Sequence, residues 1–86
     1  MRKFTSPDDL WKYSLAVASS IYVDGYFEQS KIFEDAVRMP CTTGGEWLSE
    51  LSAAIISIRK ENRFSKDIER RLEVILETAK SSNPYI

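Results

Sequence analysis

The chain has 86 residues, 43% hydrophobic and 29% charged, with a formal net charge of -1, no histidine and one cysteine. That length supports one globular domain, residues 1–86, whose core only modestly outweighs the entropy of ordering the chain; the composition is not that of a disordered segment or a disulfide scaffold. The missing histidine excludes histidine phosphotransfer and most recognisable catalytic and metal motifs, the near-neutral charge exerts no overall pull toward nucleic acid or anionic lipid, and the lone Cys41 needs no oxidising compartment, which makes a cytoplasmic setting the default.

Arg2-Lys3 followed by Leu15-Ala16-Val17-Ala18 loosely imitates a secretory signal, but Asp8, Asp9 and Lys12 interrupt it. No apolar run approaches the ~20 residues needed to span a bilayer, so a soluble protein without membrane contact is expected. Ser6-Pro7-Asp8-Asp9 marks the first helix start: a serine oxygen for orphan N–H groups, a proline preset for the first turn, and two carboxylates at the positive end of the dipole. Between Leu10 and Val23 the only charge is Lys12. At ~100° per residue the large side chains cover two adjoining faces, Leu10, Tyr13, Val17 and Ile21 on one and Trp11, Leu15, Ala18 and Tyr22 on the next. An arc this wide means that the helix is central to a bundle or keeps a face for a partner. The second face, Trp11, Leu15, Ala18 and Tyr22, is the candidate protein interface.

Asp24-Gly25 is a stop, because glycine accepts the left-handed conformation that ends many helices. Helix two is expected from about Tyr26 to Arg38, with Tyr26, Phe33 and Val37 on one side and Ile32 and Ala36 on its shoulder. The short connection favours an antiparallel hairpin, the rival being one helix kinked at Gly25. The breaker-rich stretch Met39-Pro40-Cys41-Thr42-Thr43-Gly44-Gly45 divides the chain in two. Thr42 or Thr43 can cap helix three, whose Trp47, Leu48, Leu51, Ala54, Ile55 and Ile58 keep helical spacing. Ser65 can cap helix four, whose stripe is Ile68, Leu72, Ile75, Leu76 and Ala79, and Ser81-Ser82-Asn83-Pro84 ends it. No sustained period-two alternation argues for strands. The expected fold is all-α: a small up-down bundle of about four helices built from two helical hairpins.

Three features invite chemistry. Arg59, Lys60, Arg63, Lys66, Arg70 and Arg71 set six cations against Glu61, Asp67 and Glu69, a candidate nucleic-acid patch. The plainer account is a solvated face in which Arg70 pairs with Glu73 at i,i+3. Glu69, Glu73 and Glu77 stand at successive i,i+4 positions, but bundle metal sites normally add histidine, and no metal or cofactor is expected. Cys41 precedes a helix start that could lower its pKa, yet no histidine can serve as its base, and Thr42-Thr43-Gly44-Gly45 lacks the lysine and spacing of a P-loop. A loop thiol and a helix cap account for both.

What stands above background is aromatic content for so small a core: Trp11, Tyr13, Tyr22, Tyr26, Phe27, Phe33, Trp47 and Phe64. Aromatics fill small bundles, and Tyr and Trp also anchor interfaces. The expected function is therefore a non-enzymatic protein-interaction module, self-associating as a homodimer or binding another protein. The alternatives are an immunity, antitoxin or inhibitor-like protein that masks a partner, and a nucleic-acid-binding regulator using the Arg59 to Arg71 segment.

Overall fold

The computed structural model describes residues 4–39 and 44–80. Ser6 begins the first helix through the chemistry expected of it: its Oγ accepts the Asp9 N–H at 3.2 Å, and the Asp9 carboxylate in turn accepts the Thr5 N–H at 3.2 Å. Helix α1 then runs Pro7–Val23. It ends in a reciprocal pair of backbone bonds, Gly25 N–H to the Tyr22 carbonyl at 2.9 Å and Tyr26 N–H to the Ile21 carbonyl at 3.2 Å, with Gly25 at φ 95. That is the Schellman arrangement, and it needs a residue tolerant of positive φ at this position. The chain therefore leaves α1 before α2, Phe27–Val37, begins; the two are separate helices, not one kinked at Gly25.

Helix α3 spans Gly44–Glu61 and α4 spans Lys66–Lys80. Asn62 Nδ2–H donates to the Ile58 carbonyl at 2.9 Å at the end of α3, and Ser65 Oγ accepts the Ile68 N–H at 3.3 Å at the start of α4. The expected Thr42 or Thr43 cap, Cys41 and the Ser81 to Pro84 stop lie outside the described residues.

Each helix packs on its neighbour in the chain, and α4 returns to pack on α1, so the two hairpins close into a four-helix up-down bundle of 33 × 27 × 20 Å. Leu10, Val17 and Ile21 from α1, Phe33 and Val37 from α2, Leu51, Ile55 and Ile58 from α3 and Ile68, Leu72 and Ile75 from α4 are all buried together. Specific polar contacts fix the seams. Ser30 Oγ–H donates to the Ala18 carbonyl at 2.7 Å between α1 and α2, and Trp47 Nε1–H donates to the Val37 carbonyl at 2.9 Å between α3 and α2. At one end of the bundle Tyr26 stacks edge-on against Phe64 at 4.7 Å and donates its hydroxyl to the Arg63 carbonyl at 2.9 Å, which joins the α1–α2 turn to the α3–α4 turn.

One placement differs from the sequence expectation, and one core residue lies outside any helical stripe. In α2 the buried arc is Ser30, Phe33, Ala36 and Val37, while Ile32 is 46% exposed. Ser30 holds the side toward α1 by bonding a carbonyl, which rotates Ile32 away from the core. Phe4, ahead of any helix, is fully buried with its ring edge-on to Tyr13 at 5.2 Å. Among the described residues no helix is long and apolar enough to cross a membrane.

Candidate protein interface

The second face of α1 meets α2 of the same chain along most of its length. Ala18 is buried, and its carbonyl accepts the Ser30 hydroxyl; Trp11 and Leu15 are half-buried. Arg38, held to Glu34 at 3.0 Å, lies over the Trp11 ring at 5.9 Å. Leu15 and Tyr22 share a cleft with Ser30, Glu34 and Arg38. The wide apolar arc of α1 is thereby accounted for in large part by its central place between α2 and α4. Of the four candidate residues, only Tyr22 remains mostly accessible.

Tyr22 is not alone there. Its ring packs on Phe27 across the turn, centroids 4.8 Å apart, and the two are 58% and 59% exposed; Val23, 79% exposed, faces the cleft toward the start of α4 with Ser20, Asp24 and Ser65. At roughly 200 Å² per aromatic side chain, a little over half of it exposed, the pair presents on the order of 200 Å² of surface, a small patch beside the ~300 to 600 Å² of the largest patch on a typical monomer. Its origin is local. Residues flanking a Schellman stop sit where α1 ends and α2 starts, beyond the stretch along which the two helices cover each other. The candidate face read from the sequence contains Tyr22 but not Phe27; the signal for the pair lies in the Asp24-Gly25 stop, which has large apolar residues on both sides.

The basic segment is divided by ion pairing. Arg59 reaches from α3 to α4, with Nε 2.8 Å from Glu69 Oε2 and Nη1 2.9 Å from Glu73 Oε2. Arg71 pairs with Asp67 at 3.0 Å and donates to Ser20 Oγ at 3.3 Å. The expected i,i+3 partner of Arg70 is thus taken by a guanidinium from the neighbouring helix. Lys60, Arg63, Lys66 and Arg70 are exposed and have no ion-pair partner among the described residues, but Arg70 shares the outer side of α4 with Glu73 and Glu77. Four such cations interleaved with carboxylates make a weaker phosphate surface than the six counted along the chain.

The same geometry places two members of the carboxylate series against a cation. Glu69 and Glu73 turn toward Arg59, and among the described residues no group of three or more potential ligands comes together to hold a metal ion. A further open cleft of about 450 Å³ is lined by Pro7, Asp8, Trp11 and Trp47. No family model, curated protein or solved structure matches the chain significantly.

Proposed function

We propose that the chain is a small, non-enzymatic, cytoplasmic protein-interaction module that binds a protein partner through Tyr22 and Phe27 at the α1–α2 turn. The observation that supports this is the stacked, exposed Tyr22 and Phe27 pair. Large aromatics with restricted rotamers lose little entropy on docking and dominate interface energetics, whereas a packed bundle gains little from leaving two of them in water. The simplest partner is a second copy, since a two-fold contact covers the patch on both molecules at once. An immunity, antitoxin or inhibitor-like protein would use the same patch to mask a different protein.

Light scattering across a concentration series tests the homodimer. The mass should rise toward that of a dimer for the wild type and stay at the monomer value for Tyr22→Ser/Phe27→Ser, with unchanged helical circular dichroism in both. A wild type that remains monomeric at high concentration, and captures no protein in a manner that depends on Tyr22 and Phe27, would overturn the proposal.

The nucleic-acid alternative draws support from Lys60, Arg63, Lys66 and Arg70, which stay free of ion pairs among the described residues. We expect no nucleic-acid binding beyond background. Retention of single- or double-stranded nucleic acid that falls steeply with salt, and less steeply after Arg63→Glu and Arg70→Glu, would promote the regulator over the interaction module.

A further inference from the structure

We draw no further inference here: the strongest candidate, the open cleft between the first turns of α1 and α3 lined by Pro7, Asp8, Trp11 and Trp47, carries opposed charge signals, Asp8 and two indoles suiting a cation and two helix N-termini beside Arg38 suiting an anion, so nothing in the structure shows what covers it.

Discussion

Ser14 has a fully buried hydroxyl with no hydrogen-bond partner among the described residues, on the inward side of α1 among Leu10, Val17 and Ile21. A donor left unmade in the core costs about 1 to 3 kcal/mol, and alanine is also the better helix former, so the serine weakens the bundle on both counts. Ser14→Ala should therefore raise stability by about 1 kcal/mol, seen as a higher urea midpoint with an unchanged slope. A lower midpoint would show that the hydroxyl has a partner or that its volume is needed. Ser30 illustrates the opposite case. Buried to a similar degree, it donates to the Ala18 carbonyl at 2.7 Å and fixes how α2 lies on α1.

At the scale of the element, starts and stops were the most legible part of the chain, because a cap is a local event that a few adjacent residues decide. Ser6 with Asp9, Gly25 with Tyr22 and Tyr26, and Ser65 with Ile68 each make the bonds their residue types call for. Helix phase was legible as well. Leu51, Ile55, Leu72 and Ile75 in α3 and α4 are buried as their spacing requires, and so are Phe33, Ala36 and Val37 in α2; only the shoulder residue Ile32 turns outward, with Ser30 in the position facing α1. Periodicity has no grip on Phe4, which lies before the first helix. Nor does it reach Arg59, whose partners stand 10 and 14 residues along the chain on another helix.

The Gly25 cap offers a direct check at this scale. At φ 95 the backbone lies where a Cβ is strained, but a Cβ there would meet nothing within 4 Å. The cost of Gly25→Ala is therefore conformational alone, about 1 to 2 kcal/mol, with no packing penalty added. Denaturant titration should show that loss while the helical spectrum is kept. A neutral result would mean that the chain leaves α1 by another route, and the placement of Val23 and Phe27 around the turn would have to change with it.

At the scale of the whole molecule, the question that the chain alone left open was what covers the second face of α1. Apolar periodicity identifies a face that seeks cover but not whether the cover comes from the same chain. Here α2 supplies most of it: Ala18 is buried and Trp11 carries Arg38 over its ring, which leaves Tyr22 as the accessible remainder, stacked on the exposed Phe27 of α2. Core and patch should respond differently to substitution. Leu51→Ala and Leu72→Ala, both fully buried, should each cost about 2 to 5 kcal/mol, a large share of the ~5 to 15 kcal/mol typical of a domain. Tyr22→Ser/Phe27→Ser removes a mostly exposed pair, so at protein concentrations where only monomer is present it should cost no more than about 1.5 kcal/mol, the scale of one aromatic contact. If the patch mediates association, raising the protein concentration should stabilise the wild type and leave the double variant unmoved, because binding of the folded state adds to stability by mass action. Equal concentration dependence in both proteins would remove these aromatics from any interface. A loss in the double variant as large as that of the core leucines would place them in the bundle's packing instead.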